Sequence, residues 1–184
     1  MRKVTLLFGN LVYKIFEVKL IKLGLISIVF FGLLITGFSL FIPSHVIISK
    51  AINIGASRDS INNQIADIDK WKNWYPGFDT LQLLEADKKN GTVVSAKTKG
   101  ISIILSEIKD TVITAEFSSD AKRPIINNWH TISYPHTDSI TVQWSMDFKL
   151  KWYPWEKFSS LLLEKRYGPQ MEQGLGNLKA LLEK

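Results

Sequence analysis

The sequence predicts an α+β fold in which seven antiparallel strands pack against C-terminal helices, preceded by one N-terminal transmembrane helix. Three observations support this prediction. Apolar and polar residues alternate without a break over Ile140–Trp152, as in a long strand with one buried face. Short loops connect the last six β-rich segments of the chain, which favours an antiparallel meander. Leu23–Ile42 contains 20 residues and no charge, which is typical of a membrane span.

The N-terminal part is predicted to anchor the chain in a membrane. A 20-residue helix is roughly 30 Å long, about the thickness of a hydrocarbon core. Residues 1–22 carry a net charge of +4, so this stub is expected to stay in the cytoplasm. We therefore expect a stub at 1–22, a single-pass anchor at 23–42, a tether at 43–45 and an extracytoplasmic domain at 46–184. A buried soluble helix and a cleavable signal peptide are the alternatives, and we favour an uncleaved anchor.

Composition and motifs exclude several classes of function. Of the total charge of +6, only +2 remains after the stub's +4 is subtracted, so the domain is not expected to bind nucleic acid. The chain has no cysteine, which excludes disulfides and thiol chemistry. It has neither an H-x-x-x-H motif nor a phosphate-binding or dinucleotide-binding glycine motif. We therefore expect no metal and no cofactor.

The predicted elements of the domain begin with a strand at Val46–Ile54. Ser57 can cap a first short helix, and Asp67 can cap a second one that carries Trp71 and Trp74. Lys89-Asn90-Gly91 is a strong hairpin signal. The strands between these helices and the long strand are predicted at Leu81–Asp87, Thr92–Thr98, Ile101–Lys109, Thr111–Ser118 and Ile125–Tyr134.

The C-terminal segment is predicted to form two helices. The first covers Pro154–Arg166, and Gly168-Pro169 is expected to interrupt the helix. The second begins at Gln170 and has an apolar stripe that faces the sheet, made of Met171, Leu175, Leu178 and Leu182.

Two segments resemble the START-like superfamily, which is also called SRPBCC or polyketide cyclase/dehydrase-like. KAINIGASRDSINNQIADIDKWKNWYPGF is similar to the first strand, the helix pair and the D-x-x-x-W-x-x-W segment of that family, and GPQMEQGLGNLKALLEK is similar to the start of its last helix. The resemblance covers about residues 44–184. It implies a helix-grip fold, in which a curved antiparallel sheet wraps the C-terminal helix around a cavity for an apolar small molecule or lipid.

The apolar faces of the long strand and the last helix can either line such a cavity or fill it as solid core. Under the first interpretation the ligand is expected to contact Trp71, Trp74, Asn128, His130, Trp144, Met146, Phe148, Met171 and Leu175.

His130 is the weak candidate for a catalytic acid or base. If Ile126 and Ile132 face inward, Asn128 and His130 do so as well, and they place two polar groups inside an apolar cup. In the alternative, Trp129 faces inward and His130 contacts solvent. A hydrogen-bonded core histidine is the third possibility.

Three functions remain open. We favour a membrane-anchored protein that binds an apolar ligand and carries out no reaction. The second is an enzyme of cyclase or hydrolase type that uses His130. The third is a non-catalytic domain that docks a membrane partner through exposed aromatic residues. Trp152-Tyr153-Pro154-Trp155 can form either an interfacial belt or part of the core.

Overall fold

A computed structural model describes residues 2–119 and 122–183, with the backbone alone at residues 2–17 and 122. Helix α1 (Arg2–Ser39) is continuous, so the predicted stub and most of the predicted span form one helix, which ends at Ser39 and not at the predicted Ile42. Its apolar part is Val18–Ser39, 22 residues long with a mean hydropathy of 2.3, and the rest of the chain does not cover it. This helix is long and apolar enough to cross a membrane, although a signal sequence would share both properties.

The seven predicted strands form one antiparallel sheet in the order β1-β7-β6-β5-β4-β3-β2. Register shifts in β2, β4 and β5 add bulges, which bend strands and so contribute to the curvature of the sheet. The strands are β1 (His45–Ile54), β2 (Glu85–Lys89), β3 (Thr92–Thr98), β4 (Ile101–Ile108), β5 (Val112–Ser119), β6 (Lys122–Ser133) and β7 (Ile140–Lys149).

The turn between β2 and β3 is the hairpin that the sequence predicts. Asn90 and Gly91 have φ angles of 53° and 82°, as the favoured two-residue hairpin turn requires. Strand β2 begins at Glu85 rather than at Leu81. The segment before β2 is not in the sheet, and Leu81 lies instead beside a hollow described below.

Strand β7 lies between β1 and β6, and its alternating pattern is confirmed as far as Phe148. The predicted continuation to Trp152 is wrong, because β7 ends at Lys149 and the Trp152 side chain is 65% exposed. The backbone N–H of Lys151 donates to the Glu156 carboxylate at 2.7 Å, which fixes the turn into the next helix. The inward residues of β7 are at most 7% exposed, namely Val142, Trp144, Met146 and Phe148.

The helices that follow β1 begin where the sequence predicts. Helix α2 (Arg58–Ile65) begins at Ser57, whose hydroxyl accepts the Ser60 N–H. Asp67 caps a 3₁₀ helix (Ile68–Asn73), and its carboxylate also accepts the Val93 N–H at 3.2 Å. This carboxylate therefore joins the helix pair to the sheet.

The C-terminal segment contains helices α3 (Pro154–Ser160) and α4 (Leu163–Leu182). The predicted interruption at Gly168-Pro169 is wrong, because α4 continues through both residues and the break lies at residues 161–162. Pro169 removes one helical hydrogen bond, the one to the carbonyl of Lys165. Lys165 and Pro169 are both exposed, so water can satisfy the Lys165 carbonyl.

Helix α4 packs across β1 and β7 and closes the grip. The Lys50 ammonium on β1 lies 2.7 Å from a carboxylate oxygen of Glu164 and 2.7 Å from one of Glu172, both on α4. These two hydrogen bonds raise the pKa of Lys50 to about 12. Gly174 makes the closest approach, since a Cβ atom there would lie 3.0 Å from Trp144 Cζ3 and 3.0 Å from Pro76 Cδ.

Four tryptophans fill the centre between the sheet and the helices. Their exposed fractions are at most 1%, and neighbouring ring centroids are 5.4 to 6.2 Å apart. Most of their indole N–H groups are paired: Trp71 donates to the Ile65 carbonyl at 2.8 Å, and Trp144 donates to the Asn127 side-chain oxygen at 2.9 Å. The cluster consists of Trp71, Trp74, Trp129 and Trp144.

Candidate functional site

A hollow beside helix α4 lies at one end of the tryptophan cluster, and we call it the main cleft. Its volume is about 600 Å³. Three parts of the chain line it: the loop Tyr75–Leu81, the adjoining ends of β4, β5 and β6, and the Arg166–Gln170 turn of α4. A cleft of this size falls in the range of about 300 to 1,000 Å³ that is usual for small-molecule sites.

The surface of the main cleft is largely apolar and aromatic. Its apolar and aromatic lining side chains are Tyr75, Phe78, Leu81, Ile101, Phe117, Ile125 and Tyr167. Burial raises the pKa of the Tyr75 hydroxyl, and the nearby Tyr167 raises it further. Tyr75 therefore stays neutral at physiological pH and offers a hydrogen-bond donor inside an apolar hollow.

A second, smaller hollow of about 240 Å³ continues from the main cleft along α4, and we call it the side groove. The two hollows share four lining residues: Arg123, Ile125, Arg166 and Tyr167. The side groove is bordered on its other side by Phe148–Lys151 and by Glu156 and Ser159 of α3. The two hollows therefore adjoin each other, and together they form a depression that ends next to α3.

Several positively charged residues line this depression. Arg123 and Arg166 line both hollows, and Lys149 and Lys151 line the side groove. Among the described residues no carboxylate forms an ion pair with Arg166, which lies over the Tyr167 ring at 5.4 Å. Glu156 is the acidic lining residue, and it accepts the Lys151 N–H. An apolar floor with a cationic rim suits a molecule that has an apolar body and an anionic end.

Most of the predicted ligand contacts lie in the solid core rather than in the hollows. Six of them are at most 3% exposed and line neither hollow, so the structure assigns them a packing role. Phe148 is the one that also borders the side groove. The six core residues are Trp71, Trp74, Trp144, Met146, Met171 and Leu175.

Of the orientations of β6 that the sequence leaves open, the structure shows the one in which Trp129 faces inward, so the predicted ligand contacts Asn128 and His130 line neither hollow. Trp129 and Thr131 face the core, with exposed fractions of 1% and 3%, so their neighbours on β6 face outward. The Asn128 side chain accepts a hydrogen bond from the Thr114 hydroxyl at 2.9 Å on that outer face. The large indole of Trp129 takes the inward position because it packs against the tryptophan cluster.

A family model described as "Polyketide cyclase / dehydrase and lipid transport" matches residues 45–183. The chain belongs to this family. No curated protein matches the sequence. The family assignment agrees with the seven-stranded sheet that grips a C-terminal helix.

Solved structures share the fold of this family member. A START superfamily protein from Mycobacterium smegmatis is 16% identical, with a TM-score of 0.54 over 74% of this chain and 97% of its own. A Staphylococcus aureus protein of unknown function is 14% identical, with a TM-score of 0.55 over 76% of this chain and 94% of its own. A Chromobacterium violaceum protein is 14% identical, with a TM-score of 0.53 over 77% and 99%. At these identities the likeness establishes the START-like fold alone.

Sequence reasoning missed the charged residues of the site in this polyketide cyclase/dehydrase family member. Arg123 follows a polar loop, and Arg166 lies on a helix among other charged residues, so neither stands out in the sequence. Their shared position becomes apparent only when β6 and α4 pack together. Phe117 and Ile125 were predicted as strand residues, but the sequence does not indicate that they border a hollow.

Proposed function

We propose that this chain is a membrane-anchored binding protein that holds an apolar small molecule or lipid and carries out no reaction. The observation that carries this proposal is the main cleft, a hollow of about 600 Å³ with an aromatic and aliphatic lining. Its lining can exclude water from an apolar ligand, and Tyr75 and Gln170 can orient a polar group.

The cationic rim narrows the chemistry of the ligand. Arg123 and Arg166 lie where the main cleft meets the side groove, and guanidinium groups bind carboxylates and phosphates in a two-pronged manner. A ligand with an apolar body in the main cleft and an anionic end at these arginines would use both features. A fatty acid or an anionic lipid has this chemistry.

The location of the domain supports a membrane-derived ligand. Only residues 40–44 separate the end of α1 from the start of β1, and five extended residues span at most about 18 Å. With α1 as an uncleaved anchor and the basic stub in the cytoplasm, the domain stands outside the cell close to the lipid headgroups.

The arrangement does not favour the catalytic alternative. His130, the candidate acid or base, lies on the outer face of β6 and borders neither hollow. A cyclase or hydrolase would need a proton-transferring group within hydrogen-bond reach of the bound molecule. We therefore assign the cleft a binding role.

The proposal is tested by native mass spectrometry of the full chain, purified from membranes in mild detergent. We expect a bound apolar molecule or lipid, and we expect the protein stripped of it to take up oleate. Ile125→Trp would place an indole at the junction of the two hollows and should abolish both the bound mass and the uptake. Ile104→Trp is the matched control, because Ile104 is 47% exposed on the outer face of β4.

Two results would contradict the proposal. One is a wild-type protein that carries no ligand and takes up no oleate. The other is an Ile125→Trp variant that binds as well as Ile104→Trp, because binding would then occur away from the cleft. Circular dichroism of both variants checks that each retains the fold, so a loss of binding can be attributed to the filled cleft.

A further inference from the structure

Helix α3 buries polar residues and exposes apolar ones, which is the opposite of a typical surface helix. Its buried residues are Lys157 and Ser160, with exposed fractions of 5% and 6%. Its apolar residues Trp155 and Phe158 are 67% and 40% exposed. Leu161 and Leu162 follow on from this face and are 66% and 63% exposed. A helix in water normally buries its apolar side, so the outward face of α3 requires an apolar environment.

The buried lysine ties α3 to the end of helix α1. The Lys157 ammonium donates to the backbone carbonyl of Ile42 and to the Ser44 hydroxyl, at 2.5 Å and 2.7 Å. These contacts hold α3 against the segment that follows α1, and α1 and α3 also contact each other. Leu40 and Phe41 lie in that same region with exposed fractions of 71% and 87%. The exposed face of α3 is therefore next to the exposed end of α1.

Aromatic residues before α3 extend this surface. Trp152 is 65% exposed, and its ring centroid lies 5.0 Å from that of Tyr153. The Tyr153 ring stacks on Trp155 at 4.8 Å with an interplanar angle of 11°. We define the interfacial patch by its seven large exposed residues, which are Leu40, Phe41, Trp152, Trp155, Phe158, Leu161 and Leu162.

We propose that the interfacial patch inserts into the headgroup region of the bilayer that α1 crosses. Continuity with α1 selects the bilayer rather than a protein partner, because Lys157 fixes the patch at the level where the span ends. Tryptophan is enriched at that depth, and exposed apolar surface of this extent needs a cover. Lys149 and Lys151 beside the patch can contact lipid phosphates. This inference rests on the anchoring part of the proposed function and is independent of its ligand.

The docked patch sets the orientation of the binding site. The side groove is lined by residues of the β7–α3 connection and of α3 itself, including Lys151, Glu156 and Ser159. With the patch in the headgroup region, this end of the depression opens at the membrane surface. A lipid can then pass between bilayer and cleft without crossing bulk water. The patch would thus act both as a second membrane contact and as the rim of the entrance.

Tryptophan fluorescence of the full chain in phosphatidylcholine nanodiscs tests this inference. The four core tryptophans are at most 1% exposed, whereas Trp152 and Trp155 are 65% and 67% exposed, so a quencher in the lipid should reach only the latter two. We expect phosphatidylcholine brominated near the headgroup end of its acyl chains to quench more than phosphatidylcholine brominated near the chain ends. The double variant Trp152→Phe/Trp155→Phe should lose most of this quenching, while Trp129→Phe should retain it.

Co-elution of the protein with the nanodisc reports on the anchor, so a failure of anchoring is recognised before the patch is assessed. Ligand occupancy from mass spectrometry in detergent is likewise a separate readout. The inference is overturned if brominated lipid does not quench wild-type emission while aqueous iodide does, because the patch then faces water. Protection of Trp152 and Trp155 from both quenchers also overturns it, because protein rather than lipid would then cover the patch.

Discussion

Gly174 allows helix α4 to lie directly on the tryptophan cluster. Replacing it with alanine should test how tightly α4 packs against the sheet. The added Cβ would lie 3.0 Å from Trp144 Cζ3 and 3.0 Å from Pro76 Cδ, which is shorter than van der Waals contact. Trp144 is fully buried and packed between Trp74, Tyr75 and Trp129, so it has little room to shift. Pro76 lies in the Tyr75–Leu81 loop that lines the main cleft.

The expected change in the unfolding free energy on Gly174→Ala is the sum of two opposing effects. Alanine inside a helix stabilises the folded state by about 0.5–1 kcal/mol relative to glycine. Overpacking of a filled core costs about 1–3 kcal/mol. Gly176, two positions further along α4, supplies the matched control, because a Cβ there meets no atom within 4 Å. Gly176→Ala should therefore gain about 0.5–1 kcal/mol, and Gly174→Ala should be about 1–3 kcal/mol less stable than Gly176→Ala.

The assay is denaturant unfolding of the full chain in detergent, followed by tryptophan emission, because four of the six tryptophans lie in the core. The difference in unfolding free energy between the two variants isolates the steric cost, since both gain the same helix propensity. Equal stabilisation by both substitutions would refute the reasoning. It would mean that α4 moves away from Trp144 at no cost and that the grip is loosely packed.

The same unfolding measurement tests two further pairs of substitutions. Trp144→Phe should be about 1–3 kcal/mol less stable than Trp129→Phe, because it leaves the buried Asn127 oxygen unpaired, whereas the Trp129 N–H has no partner among the described residues. The opposite order would contradict this reasoning. Lys157→Met should lower the unfolding free energy by about 1–3 kcal/mol through the loss of its two hydrogen bonds. The exposed control Lys165→Met should stay within about 0.5 kcal/mol of wild type, and an equal effect of both would contradict the role of Lys157.

Local patterns were sufficient to predict the order of the elements. Strand β7 was recognisable because a two-residue period over ten residues admits only an extended chain with one buried face. The Asn90-Gly91 turn and the Ser57 and Asp67 caps were predictable for the same reason, since each depends on the chemistry of neighbouring residues. The wrong predictions concern where elements end, because residues distant in the sequence determine those ends. Strand β7 ends at Lys149, which pairs with His45 at the start of β1, and the Lys151 N–H then donates to Glu156 instead of to a strand.

The orientation of β6 shows why the candidate site could not be predicted. Asn127 and Trp129 alternate with Asn128 and His130, so the strand has no clearly apolar face and the sequence allows either side to point inward. Packing decides, because Trp129 fits among three other indoles while Asn127 accepts the Trp144 N–H. Asn128 and His130, which the sequence suggested as ligand contacts, therefore lie on the outer face of the sheet.

The sequence by itself determined the START-like order of strands and helices and an apolar N-terminal helix. These features depend on residue type and on spacing along the chain. Only the tertiary structure decided which apolar residues fill the core and which border a hollow, since the two groups have the same composition. It also decided that Arg123 and Arg166, 43 positions apart in the sequence, meet at one cleft. That meeting depends on how α4 lies across the sheet, and no local pattern encodes the angle between two packed elements.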